Sequence, residues 1–402
     1  MEVLILDLTH GGEVLARRFA RQGHQVTAVD VYGLCSNEAL ASLRADGISA
    51  ERSPPEREFD LLVSPVHCPD ALVLPARCRE RRSFHEAVGG FIDGTAFRIE
   101  VTGVKAKTSS CHLLAHILVR HGRTVLLQTS RGRELWSADG KEQLQRELSI
   151  NPTSLLTVPE TGAEVVVAEV SLGGSGSADI GVLTDGGDYP IAAGTRSARE
   201  AKASVLTARG RNLLPMGHHL AADAGVGAVE HHGQRLTLHE TPPLGQGQKA
   251  TLHLSEDVDL TLDGSYVGAA YRSAIEVAVA AALMMGVDER TVCDALSSFP
   301  GVPGRGEMHA HGEGHYILER NPGISLPSIL HLLDSLPACS RPVVLVPADR
   351  KVCESLDIDA IRDAVERRGM SLVVDQEGQG MEPSLLADKH GAAVLLQKEA
   401  YR

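Results

Sequence analysis

The segment Val101-Thr-Gly-Val-Lys-Ala-Lys-Thr-Ser109 constrains the fold more than any other part of the chain. It follows the strand-like alternation Phe97 to Val101 and opens a helical pattern. In a nucleotide-phosphate loop, backbone N–H groups and a helix N-terminus bind phosphate oxygens, a lysine reaches the terminal phosphates and a hydroxyl binds Mg²⁺. In this segment Lys107 would reach the terminal phosphates and the Thr108 hydroxyl would bind Mg²⁺. The segment therefore predicts a phosphate loop between a strand and a helix.

The match to the strict pattern G-x-x-x-x-G-K-[ST] is incomplete, because this chain has Val101 and Ala106 in place of glycines. A methyl group at position 106 would face the phosphates, or the residue would be forced to positive φ at a cost of about 1 kcal/mol or more. A plain strand-to-helix turn is therefore the alternative, and the downstream motifs have to decide between the two.

Length and composition limit the classes of protein to which the chain can belong. At 402 residues it is too long for one ordinary core and suits two or three domains. Apolar residues make up 43% of the chain but aromatic residues only 3%, so we expect aliphatic cores. A net charge of -13 argues against nucleic acid as a partner, because no basic stripe is present to neutralise phosphates.

The cysteines and the apolar segments bear on the compartment. Seven cysteines, an odd number without C-x-x-C spacing, indicate neither a disulfide framework nor a zinc site, so we expect reduced thiols. The N-terminus lacks a signal-peptide pattern, and no apolar run has the length of a membrane span. We therefore expect a cytoplasmic protein without a membrane partner. The sequence does not indicate an oligomeric state.

Alternating strand and helix patterns divide the chain into three α/β segments with parallel sheets. Residues 1–97 open with a strand, a helix and a strand and predict a Rossmann-like unit, although G-x-G-x-x-G is absent. Residues 98–308 contain the phosphate loop, and residues 309–402 predict a smaller α/β unit. Other expected elements are a strand at Val73 to Leu74 and helices at Ala198 to Ala208 and Ala269 to Met285.

Glu169 lies at the end of an apolar strand pattern and precedes a Gly-rich turn. Mg²⁺ prefers hard oxygen ligands and keeps several waters, so one carboxylate, a phosphate and the Thr108 hydroxyl would suffice to bind it. The alternative is a solvated glutamate at a strand end, which is the commoner environment of this residue type. The upstream phosphate loop favours the metal ligand.

Two further basic residues, Lys202 and Arg305, are candidates for functional residues. Lys202 lies on a predicted helix, where a lone lysine is normally solvated. Arg305 follows a Pro/Gly-rich stretch, from which a guanidinium could reach phosphate. By composition alone, that stretch is an interdomain linker.

In this order and spacing, the motifs resemble those of the Mur ligase family of ATP-dependent carboxylate-activating synthetases, over essentially the whole chain. Thr102 to Ser109 looks like the family's T-G-T-N-G-K-T-T loop, and Glu169-Val-Ser171 resembles its E-x-S magnesium strand. Ala201-Lys202 falls where the family often has a carbamylated lysine. Val302-Pro-Gly-Arg-Gly-Glu307 is the most specific match and resembles the V-P-G-R-x-E hinge, while Asn321-Pro322 is similar to the N-P of the D-Y-A-H-N-P turn.

The resemblance implies a three-domain α/β architecture. Its parts are an N-terminal Rossmann-like substrate domain at 1–97, a central P-loop ATPase domain at 98–308 and a C-terminal domain at 309–402. It also implies ATP and Mg²⁺. The residues implied to bind the nucleotide are Thr102, Gly103, Val104, Lys105, Ala106, Lys107, Thr108, Ser109 and Arg305. Those implied to bind the metal are Thr108 and Glu169. Those implied in catalysis are Lys107, Glu169, Lys202 and Arg305.

The chain departs from the family at two places. The family commonly has a metal-ligating histidine in a T-N-x-x-x-D-H run, whereas this chain has Thr184-Asp-Gly-Gly-Asp-Tyr189. Tyr189 therefore puts a second metal site in doubt. The asparagine that usually contacts adenine is not evident near Tyr271, so adenine contacts are not assigned.

Short segments resemble, within the family, the archaeal enzymes that close a ring on a nickel tetrapyrrole. That resemblance implies activation of a propionate carboxylate as an acyl phosphate and attack by a ring carbon, with a nickel-tetrapyrrole substrate as partner. The base that would take the proton from carbon is not visible in the sequence. The segments are Leu6 to Gly12, Ala28 to Tyr32, Pro65 to Pro69, Val101 to Lys105 and Val170 to Gly174.

Two other functions stay open. An amide-forming Mur-type ligase on a peptide or polyglutamate-like substrate would share the ATP machinery. A catalytically silent nucleotide-binding module is favoured by Ala106 and Tyr189. The histidine pairs at 218–219 and 231–232 are weak candidates for metal ligands, because adjacent residues on a strand point to opposite faces. Candidate contacts for the carboxylates of a tetrapyrrole are Arg131, Arg133 and Arg196.

Overall fold

The computed structural model describes residues 1–73, 77–94, 96–207, 210–218, 226–321, 323–338, 340–347, 356–375 and 381–398. The chain forms two compact units. The first contains Met1–Cys111 and Arg123–His231, and the second contains His112–Gly122 and His232–Arg402. The division into three domains at residues 97/98 and 308/309 stays a prediction.

The first unit begins with a sheet of five parallel strands in the order β3-β2-β1-β4-β5. Its core is aliphatic: Val3 and Ile5 of β1 are fully buried and pack in one cluster with Leu15 of helix α1. The strands are β1 (Glu2–Leu6), β2 (Gln25–Val29), β3 (Ser49–Glu51), β4 (Glu58–Ser64) and β5 (Arg77–Ser83). The helices are α1 (Glu13–Arg21), α2 (Asn37–Ala45), α3 (Asp70–Val73) and α4 (Phe84–Gly89).

The strand predicted at Val73 to Leu74 is wrong at Val73, which is the last residue of α3; Leu74 lies outside the described residues. Val73 is buried against Leu4 and Phe59, so its burial reflects a short helix packed on the sheet. An isolated pair of apolar residues has no period that separates these two structures.

The second sheet of this unit has eight strands in the order β15-β14-β11-β6-β10-β7-β8-β9. Strands β14, β11, β6, β10 and β7 run parallel, and β8 and β9 add antiparallel strands at one edge. The bounds are β6 (Phe97–Thr102), β7 (Val125–Thr129), β8 (Gly132–Ser137), β9 (Gly140–Arg146), β10 (Val165–Glu169), β11 (Ile180–Leu183), β14 (Arg211–Pro215) and β15 (Ala228–His232). A two-stranded ribbon pairs β12 (Pro190–Ile191) with β13 (Arg196–Ser197), and helix α6 (Ala198–Lys202) follows. Helix α5 (Lys107–Arg120) begins in this unit, and its residues from His112 onward are assigned to the second.

The helix predicted at Ala198 to Ala208 is shorter than expected. Helix α6 ends at Lys202, and a 3-10 turn follows at Ala203–Val205. Val205 is fully buried in a small cluster with Leu183 and Leu214, so the chain leaves the helix to pack against the sheet.

The second unit contains a three-stranded antiparallel sheet and a five-stranded sheet in the order β19-β20-β23-β21-β22. In the larger sheet only β19 runs antiparallel to its neighbour. The strands are β16 (Leu236–Leu238), β17 (Gln248–His253), β18 (Asp257–Leu262), β19 (Arg305–His311), β20 (Gly314–Asn321), β21 (Val343–Pro347), β22 (Ser371–Asp375) and β23 (Ala392–Lys398). The helices are α7 (Arg272–Met284), α8 (Glu289–Ser297), α9 (Leu326–Asp334), α10 (Ile358–Arg367) and α11 (Pro383–His390).

Helix α7 is the helix predicted at Ala269 to Met285, and it carries one charged residue in an apolar run. Glu276 is buried and accepts hydrogen bonds from the backbone N–H groups of Gly233, Arg235 and Leu236. These bonds satisfy a carboxylate that would otherwise be costly to bury. Within the described residues, no helix combines the length and apolar character needed to cross a membrane.

Candidate active site

The predicted phosphate loop connects β6 to α5, as the sequence indicated. Gly103 has φ 151°, and a Cβ at this position would lie 1.9 Å from Thr184 Oγ1, so only glycine fits. Ala106 has φ 63°, which is left-handed backbone. The expectation that position 106 is forced to positive φ is confirmed, and the loop adopts this conformation without a glycine there.

Backbone donors of the loop converge on an anionic oxygen. The N–H groups of Val104 and Lys105 donate to Asp185 Oδ2 at 2.7 and 2.8 Å. The Thr184 hydroxyl donates to the Lys105 carbonyl at 2.5 Å. A loop whose N–H groups donate to a carboxylate oxygen has the chemistry required to bind phosphate oxygens.

The structure brings the loop lysine, the loop hydroxyl and the strand-end glutamate together. Lys107 Nζ donates to the Gly103 carbonyl at 3.1 Å, so the side chain folds back over the loop. Thr108 Oγ1 donates to Glu169 Oε2 at 2.9 Å. This contact follows from topology, since β10 pairs with β6 and places Glu169 opposite Val101.

Glu169 is buried and accepts a second hydrogen bond, from the Ser130 N–H at 3.2 Å. Both bonds from described residues end on Oε2. The Ser130 hydroxyl oxygen is buried and has no hydrogen-bond partner among the described residues. The Thr108 hydroxyl and the Ser130 backbone thus meet at the Glu169 carboxylate, and the residues bring hard oxygen donors to the end of the parallel strands. This donor set fits Mg²⁺.

Thr102 and Ser109 flank the loop, and both are buried. Thr102 Oγ1 accepts a hydrogen bond from the Gly173 N–H at 3.1 Å, which fixes the Gly-rich segment after Glu169. Ser109 lies in the first turn of α5, where free N–H groups favour an anion.

Lys202 is 1% exposed, so the solvated lysine considered for this helix is ruled out. Its Nζ donates to the Gly187 carbonyl at 3.2 Å and lies 4.9 Å from the centre of the Tyr189 ring. Burial lowers the pKa of Lys202, the positive charge of Lys107 lowers it further, and the carboxylates of Asp185 and Asp188 oppose this shift. A lowered pKa raises the fraction of Lys202 that is present as the neutral amine at a given pH.

Glu100 was not singled out in the sequence, yet it is fully buried on β6, two residues before the loop. Its carboxylate accepts hydrogen bonds from the Ser175 N–H at 2.6 Å and the Ser175 hydroxyl at 2.7 Å. Burial raises the pKa of Glu100. The group holds the Gly-rich segment against the loop strand.

Arg305 lies in the second unit, at the start of β19. Its carbonyl accepts a hydrogen bond from the Tyr271 hydroxyl at 3.0 Å. In the same turn, the Gly304 N–H donates to Glu307 Oε2 at 2.7 Å, and Gly304 has φ 72°, the left-handed backbone that favours glycine. Asn321 is buried and donates to Glu319, while Pro322 lies outside the described residues. The role of Arg305 at a phosphate stays a prediction.

The arginines proposed for tetrapyrrole carboxylates differ in their surroundings. Arg133 is buried and donates to Gln128, Gln145, Ser154 and Thr157, so its guanidinium holds the β7–β8 region together and is not available to a substrate.

Arg196 donates to the Val66 carbonyl and pairs with Asp70. His231 and His232 are consecutive on β15, where adjacent side chains point to opposite faces of a strand. His219 lies outside the described residues.

The residues that the sequence did not assign to the loop are Asp185 and Ser130. Each follows the carboxyl end of a parallel strand, β11 and β7, and such ends meet at one edge of the sheet. That position was the available signal.

Replacing Ala106 with glycine is expected to stabilise the fold by about 1 kcal/mol, because alanine is strained in left-handed backbone. Thermal unfolding without nucleotide measures the change. Ala41→Gly is the matched control, since Ala41 is exposed inside α2 and its replacement should destabilise by about 1 kcal/mol. Equal losses for both variants would contradict the strain at Ala106.

Comparison with known proteins defines the family. No family model matches the chain. The chain is 33% identical to "Coenzyme F(430) synthetase" of Methanosarcina acetivorans, over 92% of this chain and 88% of the relative.

Two solved structures share the fold. The ligase MurF from Thermotoga maritima in complex with ADP has a TM-score of 0.54 at 13% identity, covering 96% of this chain and 94% of that one. A bifunctional folylpolyglutamate synthase/dihydrofolate synthase with Mn, AMPPNP and L-glutamate bound has a TM-score of 0.52 at 16% identity, covering 79% and 91%. At these identities the structures show the fold alone, and that fold is the α/β Mur ligase-like architecture predicted from the motifs.

The identity to the Methanosarcina protein extends over nearly the whole of both chains, which goes beyond a shared fold. The chain belongs to the coenzyme F(430) synthetase family, among the ATP-dependent ligases of Mur ligase type.

Proposed function

We propose that this protein activates a propionate carboxylate of a nickel tetrapyrrole as an acyl phosphate, using ATP, and closes a carbocyclic ring to give coenzyme F-430. The observation that carries this proposal is the Lys107–Thr108–Glu169 arrangement in a member of this family. The relative's name supports coenzyme F(430) as the product, and the phosphate loop supports activation by ATP.

The chemistry requires activation because a free carboxylate is a poor acyl electrophile. Transfer of the terminal phosphoryl group of ATP to the carboxylate makes phosphate the leaving group. Lys107 and the N–H groups at the start of α5 would neutralise charge on the transferring phosphoryl group. Thr108 and Glu169 would hold Mg²⁺, which when bound neutralises phosphate charge. Neighbours of this fold solved with ADP, and with Mn and AMPPNP, support a nucleotide and a divalent cation here.

Lys202 is proposed to act as a carbamate, as its motif implied. Carbamylation needs a neutral amine, and burial lowers the pKa of this lysine in the required direction. The centre of the Tyr189 ring lies 4.9 Å from its Nζ, at the sequence position where the family commonly has a histidine ligand. We therefore propose one Mg²⁺ bound by Thr108 and Glu169. A cytoplasmic location is part of the same proposal and agrees with free thiols at the described cysteines.

The proposed function predicts that the purified protein, incubated with ATP, Mg²⁺ and the nickel seco-acid, converts the seco-acid to the ring-closed product and forms an equal amount of ADP. The conversion is seen as a change in the absorption spectrum of the tetrapyrrole. Both signals are followed in one reaction, with the seco-acid omitted as control. ADP formation that requires an added amine would instead support an amide-forming ligase. A folded protein that binds ATP but produces neither signal would overturn the tetrapyrrole assignment.

A further inference from the structure

A buried carboxylate orients a histidine in the N-terminal part of the first unit. Asp7 follows β1, is 0% exposed and has φ 76°. Its Oδ1 accepts hydrogen bonds from the N–H groups of Thr9 at 2.9 Å and His10 at 3.2 Å. Its Oδ2 lies 2.5 Å from His10 Nδ1. The carboxylate thus fixes the ring so that Nδ1 faces inward and Nε2 is the nitrogen left for another group.

The His10 side chain is 46% exposed and borders two other side chains. His67 meets it edge-on, with ring centroids 4.7 Å apart, and Tyr32 does the same at 5.9 Å. The Nε2 of His67 makes no hydrogen bond among the described residues but lies 3.8 Å from Asp7 Oδ2, so both imidazoles border the same carboxylate. The His10 side chain, at 46% exposed against 30% for His67, is the more accessible of the two.

These residues lie where an open parallel sheet binds ligands. The strand order β3-β2-β1-β4-β5 reverses between β1 and β4. In such sheets ligands bind beyond the carboxyl ends of the strands at that point. Asp7 follows β1, and His67 follows β4. The exposed ring of His10 is thus at the sheet's binding crevice.

The same crevice is connected to the metal end of the nucleotide site. Gly11 lies directly against Thr153 and Asn151, since a Cβ on Gly11 would be 2.1 Å from Thr153 Oγ1. The Ser171 N–H donates to the Ile150 carbonyl at 2.8 Å, and Ser171 is two residues after Glu169. A large substrate in this crevice would have a carboxylate on the nucleotide side and ring atoms near His10.

We propose that His10, oriented by Asp7, is the base that takes the proton from the attacking ring carbon during ring closure; this inference rests on the proposed function. The C–H electron pair forms the new C–C bond to the acyl carbon. The bond from that carbon to the phosphate oxygen breaks, and its electron pair leaves with phosphate. The proton ends on His10 Nε2, and Asp7 stabilises the resulting imidazolium.

The electrostatics agree with this role. The hydrogen bond that His10 donates to Asp7 raises the pKa of His10, while burial and the neighbouring His10 lower the pKa of His67. Burial raises the pKa of Cys68 to about 11 and that of Tyr32 well above its usual range, so both stay neutral beside His10. His10 is therefore the group that gains the proton first, and ring closure should fall as the pH drops through its pKa.

The test separates activation from ring closure. His10→Gln is expected to keep seco-acid-dependent formation of acyl phosphate, trapped by hydroxylamine as the hydroxamate. Its ring closure, followed by absorbance, should fall at least about 100-fold, the usual contribution of a positioned base. His24→Gln is the control, because His24 packs against Phe19 on the same unit. Imidazole added to His10→Ala should restore part of the ring closure.

The variant Asp7→Asn tests the role of His10 through the pH dependence of ring closure, which loss of folded protein would not shift. Without the carboxylate the pKa of His10 falls, so the acidic limb of the pH profile of ring closure should shift to lower pH. Asparagine tolerates positive φ better than most residues, which favours a folded variant. The nickel absorption bands of bound seco-acid should match those of the wild type.

The outcomes separate the two proposals. If the wild-type protein forms no acyl phosphate with the seco-acid, the proposed function fails. If it closes the ring and His10→Gln closes it equally fast, only the role of His10 is overturned. Changed nickel bands in His10→Gln would identify His10 as a ligand of the substrate's nickel and would also overturn the base.

Discussion

Replacing Lys107 with alanine is expected to reduce seco-acid-dependent ATP cleavage at least about 1,000-fold, the scale of removing a positioned charge from a transferring phosphoryl group. The Nζ of Lys107 is bonded to the Gly103 carbonyl, so the charge lies over the loop before nucleotide arrives. Substitution removes this charge from the phosphates and leaves the backbone donors in place. The loss should therefore appear mainly in the rate of ADP formation.

Stability should change little in Lys107→Ala, because the lysine makes one hydrogen bond to a loop carbonyl. ADP formation and thermal unfolding are measured on the same sample. Lys249→Ala, at an exposed position of β17, is the control and should behave as wild type. Wild-type ADP formation in Lys107→Ala would show that the loop lysine is not needed for the reaction, whereas a wild-type protein that forms no ADP with any substrate would favour a catalytically silent nucleotide-binding module.

The parts of the site that the sequence predicted are those carried by local pattern. The loop between β6 and α5 was predicted because an alternating strand, a Lys-Thr pair and a helix occur within one stretch of chain. Glu169 was predicted because it ends an apolar strand. The pairing of β10 with β6 then brings Glu169 to Thr108.

The parts that the sequence did not predict depend on contacts between distant segments. Asp185 accepts hydrogen bonds from the loop N–H groups and follows the end of β11. The sequence distance between Asp185 and the loop does not predict this contact. The pair of Asp7 and His10 is local, but its position beside His67 follows only from the parallel pairing of β1 with β4. Such relations need the strand order, which a single sequence does not specify.

The exposure of individual charged side chains was harder to predict than the elements that carry them. Arg133 seemed available from its place near a Gly-rich turn, yet the β7–β8 hairpin folds it into the protein interior. Lys202 looked like a solvated helix residue, yet it is 1% exposed. In both cases the side chain's neighbours come from outside its own segment.

Glu169→Gln is expected to slow ATP cleavage by about 100-fold to 1,000-fold, with a higher Mg²⁺ concentration needed for half-maximal rate, because a neutral amide binds a hard cation less well than a carboxylate. Both hydrogen bonds from described residues end on Oε2, from Thr108 and Ser130. A glutamine with its carbonyl oxygen at that position keeps both bonds. The fold should therefore survive while the negative charge is lost.

Rates of ADP formation over a series of Mg²⁺ concentrations measure the effect of Glu169→Gln. Glu164→Gln is the matched control, since Glu164 directly precedes the same strand and its carboxylate is partnered with Arg123 and the Thr124 N–H at the opposite end. The control should keep the wild-type Mg²⁺ dependence. An unchanged Mg²⁺ dependence in Glu169→Gln would show that this carboxylate orients Thr108 and does not bind the cation, because the variant keeps the hydrogen bonds of the carboxylate and loses only its charge.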